Sequence, residues 1–146
     1  MLFRSTIKVG AGENWDETVK RAVEMRLSGI EAMSSIPGTT GAAPVQNVGA
    51  YGQEIADTLV SLEAYDTTTN SFVTLTNEEC EFSYRHSIFR GAQQGQYVIT
   101  SITLKLSKSL PTPPFYESLQ KYLDEQSVHT FTQQTIRDKT KCWLVF

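Results

Sequence analysis

The chain has 146 residues, one domain's worth, which excludes a multi-domain machine. Hydrophobic residues make up 40% and charged residues 20%, enough apolar content to build a packed core and against wholesale disorder. With 13 basic and 16 acidic side chains the formal net charge is −3, which supplies none of the cation excess that a nucleic-acid partner demands.

No stretch approaches the roughly 20 apolar residues of a membrane span, and Arg4 and Lys8 interrupt the start where a signal peptide needs its apolar region. No membrane partner and a cytoplasmic location are therefore expected. Cys80 and Cys142 stand far apart, in neither a disulfide framework nor a metal spacing, and read as ordinary core or surface thiols. His86 and His129 are likewise isolated, so no metal site is expected.

Phe3, Ser5, Ile7 and Val9 alternate with polar residues and predict a half-buried strand ending at Gly10-Ala11-Gly12. A helix should follow, capped by Asn14 with Glu17 three positions on, with Trp15, Val19, Ala22, Val23 and Met25 on its apolar face and Gly29 placed to end it. Ala32 to Gln53 then runs without a charged side chain but is broken repeatedly by Pro and Gly, and reads as a long irregular loop with one short helical turn.

Thr58 to Tyr65 and Ser71 to Leu75, joined across Asp66 to Asn70, predict a hairpin, after which Thr76 caps a short turn with Glu79. Gln96 to Leu106 is the clearest strand. Strict alternation would put Val98, Ile102, Leu104 and Leu106 on one face and Tyr97, Ile99, Ser101 and Thr103 on the other. Pro111, Pro113 and Pro114 mark a connection, and two helices follow, one carrying Tyr116, Leu119, Tyr122 and Leu123 and one spanning Thr132 to Lys139, before Trp143-Leu144-Val145-Phe146. The expected class is α+β, a mixed sheet with few helices.

Two segments could carry chemistry. In IPGTTGAAPVQNVGAYG the glycines let backbone approach a ligand closely, although Gly and Pro also punctuate ordinary turns. The segment's length points toward function, and Gln46, Asn47 and Tyr51 could read a polar ring edge. In Tyr84-Arg85-His86-Ser87, flanked by Phe82 and Phe89, Arg85 suits a carboxylate or phosphate clamp, or else a salt bridge to Glu79 or Glu81. Tyr116 fits either a helix core or a ligand lid.

The run Leu27-Ser28-Gly29-Ile30-Glu31 through IPGTTGAAPVQNVGAYGQE, followed by ECEFSYRHSIF, resembles UDP-N-acetylenolpyruvoylglucosamine reductase, and VGAGENW, Tyr116 and TQQTIRD match in order. The resemblance implies a flavin-binding domain of the vanillyl-alcohol-oxidase (PCMH) type. Residues 1–108 would be its second lobe, without the first, and 109–146 the start of a substrate-binding domain. It implies FAD lying along Gly38 to Gly52, with contacts from Gly38, Gly41, Val45, Gln46, Gly49 and Ile99. Arg85 matches the family's catalytic arginine, Tyr84 its neighbouring tyrosine and Tyr116 the tyrosine that closes over a nucleotide-sugar substrate; His86 stands where the family often has aspartate.

The implied reaction has NADPH reduce FAD, and reduced FAD give hydride to the enolpyruvyl double bond, with a cation such as Arg85 stabilising the enolate-like charge. A serine assisted by a glutamate then supplies the proton. A GxGSN-like pyrophosphate element and a GSFFKNP-like serine motif find no match here, so a truncated homologue, inactive alone, is expected. A complementing chain, or self-association through exposed sheet edges, would accompany it. The alternative is a non-catalytic remnant that binds flavin or a nucleotide sugar.

Overall fold

The structure, a computed structural model, describes residues 4–142; Phe3, the Trp143 to Phe146 terminus and the Cys142 side chain lie outside the description. Strand β1 (Arg4–Gly10) alternates exposed and half-buried residues because it lies on a sheet edge with one face against the core. It pairs with β6 (Tyr97–Ser107), which in turn pairs with β4 (Leu59–Asp66), and β4 forms a hairpin with β5 (Ser71–Thr76). The expected α+β class holds. Within the sheet every described pair is antiparallel rather than mixed in direction. The hairpin turns as expected at Asp66, whose Oδ1 accepts from the Thr68 N–H at 2.8 Å.

The face assignment of β6 needs correction. Its ladder with β4 slips between Glu63↔Ser101 and Ala64↔Ile99, leaving Thr100 over, and the Thr100 hydroxyl donates to the Glu63 carbonyl at 3.1 Å across the gap. Such a bulge reverses the faces of everything beyond it. Ile102, Leu104 and Leu106 are buried, but Val98 is 56% exposed, and Tyr97 and Ile99 pack against the core instead.

Helix α1 (Trp15–Glu24) begins as the sequence predicts, with Asn14 Oδ1 accepting the Glu17 N–H at 3.0 Å. Trp15, Val19, Ala22 and Val23 are buried against the sheet, whereas Met25 is 60% exposed. The helix stops five residues before Gly29: Arg26 enters the left-handed region (φ 57°) and the Leu27 N–H closes back to the Ala22 carbonyl at 2.9 Å. Gly29 serves a different need, since at φ 132° a side chain there would press on Thr58 and Leu106.

Along the uncharged segment and across its two ends run two 3₁₀ turns, Glu31–Met33 and Thr40–Ala42, and a small hairpin of β2 (Gly49–Ala50) and β3 (Gln53–Glu54), more structure than one helical turn. Its hydrogen bonds run inward. Trp15 Nε1 donates to the Met33 carbonyl at 3.1 Å, the Thr18 and Thr40 hydroxyls meet at 3.0 Å, and the Gly41 N–H donates to the Ala11 carbonyl at 2.9 Å.

After β6 the chain forms α2 (Glu117–Glu125) and α3 (Gln133–Cys142). Leu119, Leu123 and Ile136 make a second apolar cluster around Ala32, edged by the T-shaped pair Phe115 and Phe131. A buried ion pair binds α3 to α1: Arg137 donates to Asp16 from Nη1 at 2.6 Å and Nη2 at 2.9 Å, and to Ser34 Oγ at 2.9 Å. Cys80 lies inside the main core, where burial pushes its thiol up to about 12. Iodoacetamide should therefore leave the Cys80 peptide unlabelled in the native protein and label it in urea, as peptide mass spectrometry would read.

Candidate active-site cleft

The segment Ser83 to Ser87 forms a tight turn in which Ser83 and His86 exchange backbone hydrogen bonds, each 3.1 Å, leaving Tyr84 and Arg85 at the tip. Phe82 and buried Phe89 anchor the flanks in the main core. Arg85 takes φ 53°, a left-handed conformation that a side chain of its size adopts rarely. Its guanidinium lies 5.9 Å from the Tyr84 ring centroid, and both side chains are exposed.

Neither sequence-level salt bridge forms. Glu79 turns back to Thr76, whose N–H and hydroxyl donate to it at 2.8 and 3.0 Å and hold its carboxyl below the usual range. Among the described residues no carboxylate pairs with Arg85.

Opposite the turn stands the β2–β3 hairpin. Tyr51 (φ 50°) and Gly52 (φ 79°) are both left-handed, as a two-residue type I′ turn requires. Gly49 is necessary for the hairpin's closeness, since a Cβ there would come within 2.8 Å of the Gln53 carbonyl oxygen. Tyr116, just before α2, lies over the turn, with ring and Cβ atoms 3.6 and 3.7 Å from where a Gly52 side chain would begin. Burial raises the Tyr51 hydroxyl above its ordinary pKa. Glu54 and Asp57 close a reciprocal capping box on each other's backbone, which keeps both carboxylates occupied.

These pieces enclose an open cleft of about 340 Å³, lined by Arg85, Tyr84, Tyr116 and the hairpin from Gly49 to Glu54. Six of the residues singled out in the sequence, Asn47, Gly49, Tyr51, Tyr84, Arg85 and Tyr116, thus meet in one place although 69 positions separate Asn47 from Tyr116 (116 − 47). Among the described residues the cleft presents the Arg85 cation, three phenols and two amides, both engaged: Gln53 Oε1 accepts from the Ala32 N–H at 2.9 Å, and the Asn47 amide is held at both ends. It can hold an anionic group on Arg85 beneath an aromatic cover.

The other expected cofactor positions lie elsewhere along the loop. Gly38, at φ 123° with nothing within 4 Å of a would-be side chain, is open, and Pro37, Thr39, Ala42 and Gln46 are exposed beside it. Gly41 is crowded by the chain itself, its would-be Cβ 2.5 Å from Ala11 Cβ, and Val45 is half-buried. Ile99 packs against the core next to Thr100, whose carbonyl accepts from the Ala11 N–H at 2.9 Å, so strand and loop meet at Ala11.

Gln46, Asn47 and Tyr51 do not act as one polar cluster. Gln46 lies by Trp15, while Asn47 is buried with both ends of its amide engaged. Sequence reasoning missed Gln53 and Asp57, and no periodicity or motif would have flagged them.

Residues 4–75 match the family described as an FAD binding domain. The UDP-N-acetylenolpyruvoylglucosamine reductase of Amoebophilus asiaticus is 42% identical over 132 residues, 90% of this chain and 39% of that protein. That of Cupriavidus pinatubonensis is 48% identical over 102 residues, 70% of this chain and 30% of its own. The crystal structure of the Thermus caldophilus enzyme superposes with a TM-score of 0.60 at 29% identity, covering 83% of this chain and 41% of that one.

Residues 4–75 and the fold they build are thus those of an FAD-binding domain. Over the span it shares with these relatives, the chain is similar to UDP-N-acetylenolpyruvoylglucosamine reductases; it covers 39% of the first, 30% of the second and 41% of the third.

Proposed function

We propose that this chain binds FAD along the 38–52 loop and takes part in the NADPH-dependent reduction of UDP-N-acetylglucosamine enolpyruvate to UDP-N-acetylmuramate, a cytoplasmic step of peptidoglycan synthesis. The observation that carries this reading is the meeting of Tyr84, Arg85 and Tyr116 with the glycine hairpin in one cleft. Residues 1–108 would then be the flavin lobe and 109–146 the beginning of the substrate lobe.

The residues present fit the cofactor. Gly38 leaves open space where any other residue would put a side chain, so a flat ligand can lie against backbone, and the exposed positions beside it continue that surface. FAD bound there would supply hydride, drawn from NADPH, to the enolpyruvyl double bond. Arg85 would hold the substrate carboxylate through two parallel hydrogen bonds and stabilise the negative charge that grows there in the transition state. Tyr84 would flank that carboxylate, and Tyr116 would cover the substrate and exclude water.

Titrating the protein with FAD, followed by flavin fluorescence and visible absorption, tests the cofactor half. Saturable binding is expected in the wild type and in Arg85→Ala. Gly49→Val should abolish it, because the added side chain would be driven into the Gln53 carbonyl and open the hairpin. Absence of binding by a folded wild type would overturn the reading.

A further inference from the structure

Asn47 lies beneath the Tyr84-Arg85 turn. It is 1% exposed and left-handed at φ 46°, a conformation asparagine tolerates better than most residues. Its Nδ2 donates to the Ser83 carbonyl at 3.1 Å and its Oδ1 accepts from the Ala56 N–H at 3.0 Å. The two partners, one acceptor and one donor, fix which way the amide points. Two residues back along the same loop, the Val45 carbonyl accepts from Ser87 Oγ at 2.6 Å, so the loop grips the turn at both ends.

Besides these grips the tip has, among the described residues, one side-chain tie, from the exposed Arg90, whose Nη1 donates to the Arg85 carbonyl at 3.1 Å. The turn's own closure is two 3.1 Å hydrogen bonds, its tip is exposed, and Arg85 resists the left-handed conformation it occupies. A two-residue hairpin of this kind is marginal alone. A buried amide bound to the Ser83 carbonyl is thus well placed to decide how often the tip adopts the geometry that sends the guanidinium into the cleft. We propose that Asn47 is a positioning residue for Arg85, acting through the Ser83 carbonyl. The inference rests on the reading of Arg85 as the carboxylate-binding group.

Asn47→Asp tests it, because the introduced carboxyl keeps the shape and the acceptor for Ala56 but turns a second oxygen toward the Ser83 carbonyl. With pyruvate as the carboxylate probe, monitored by backbone amide spectra of the full chain, affinity should fall about tenfold or more near neutral pH, the size of one lost buried hydrogen bond. The Ser83 to His86 signals should shift while that of Ala56 stays. In acid the carboxyl regains a proton it can donate, so turn signals and affinity should both return toward wild type, a recovery that a general loss of packing would not produce.

Asn47→Gly, at ease in the left-handed conformation but without the amide, should show the same loss with no recovery in acid, and stands in if the aspartate variant fails to fold. Wild-type affinity and unmoved turn signals in both variants would overturn the proposal. Failure of wild type and Arg85→Ala alike to bind pyruvate would count against the Arg85 reading alone, and the turn signals would then decide the role of Asn47.

Discussion

Replacing Arg85 with alanine is expected to slow the single hydride transfer from the reduced, flavin-loaded protein to the enolpyruvyl group, the step before protonation, about 10²- to 10³-fold, the usual cost of removing one group that stabilises transition-state charge. FAD affinity should not change, because the Arg85 tip and the open backbone at Gly38 are separate surfaces. The size of the effect follows from the cleft's electrostatics: Glu54 and Asp57 are occupied with each other's backbone, and among the described residues no carboxylate pairs with the guanidinium. Arg85→Lys should recover only part of the rate, since a point charge cannot form the two parallel hydrogen bonds of the fork. Single-turnover return of the oxidised-flavin band, on mixing the NADPH-reduced protein with substrate, reads the step directly. Equal losses of FAD binding and of rate in Arg85→Ala would instead make the residue structural.

Much of this architecture was legible in the residues themselves, and the parts that were not share a physical cause. The Asn14 cap, the Asp66 turn and the Thr76 to Glu79 box are local, each written in residues within three positions of one another, and the hairpin pairs residues no more than 15 apart, Ser61 with Thr76. The errors are tertiary. Nothing around Val98 announces that Thr100 will be left out of register, because the slip belongs to the pairing with β4 and to the contact of Ala11 with the Thr100 carbonyl. Arg26 outdoes Gly29 as helix terminator because Leu27 and Ile30 must enter the core soon after α1 ends.

At the site, motif and resemblance pointed to Tyr84, Arg85, Tyr116 and the glycine loop, but the role of Asn47 depended on two carbonyl and amide partners 36 and 9 positions away. A polar residue in an uncharged loop looks the same in sequence whether it faces a ligand or is buried beneath a turn.

The largest effect on stability should come from Asp16→Ala, about 3–5 kcal/mol of unfolding free energy in chemical denaturation, the range for stranding one member of a buried ion pair. Arg137 is the buried partner: its side chain is 3% exposed, against 27% for Asp16, and without the carboxylate its guanidinium would keep Ser34 Oγ as its side-chain partner among the described residues. Arg137→Met should cost less, since the carboxylate it leaves behind still reaches solvent and still accepts from the Ser35 N–H at 2.7 Å. The same pair sets a pH dependence. The Arg137 hydrogen bond foremost, against an opposing contribution from burial, holds the Asp16 carboxyl below its ordinary value, so the folded state binds that proton less readily than the unfolded chain. The contribution is therefore complete above the ordinary carboxylate range and disappears as the pH falls through the lowered value. Wild-type and Asp16→Ala stabilities should converge in strong acid and separate fully near neutrality. Parallel curves with no convergence would mean that the alanine acts through lost packing or the lost Ser35 bond, not through the charge that joins α1 to α3.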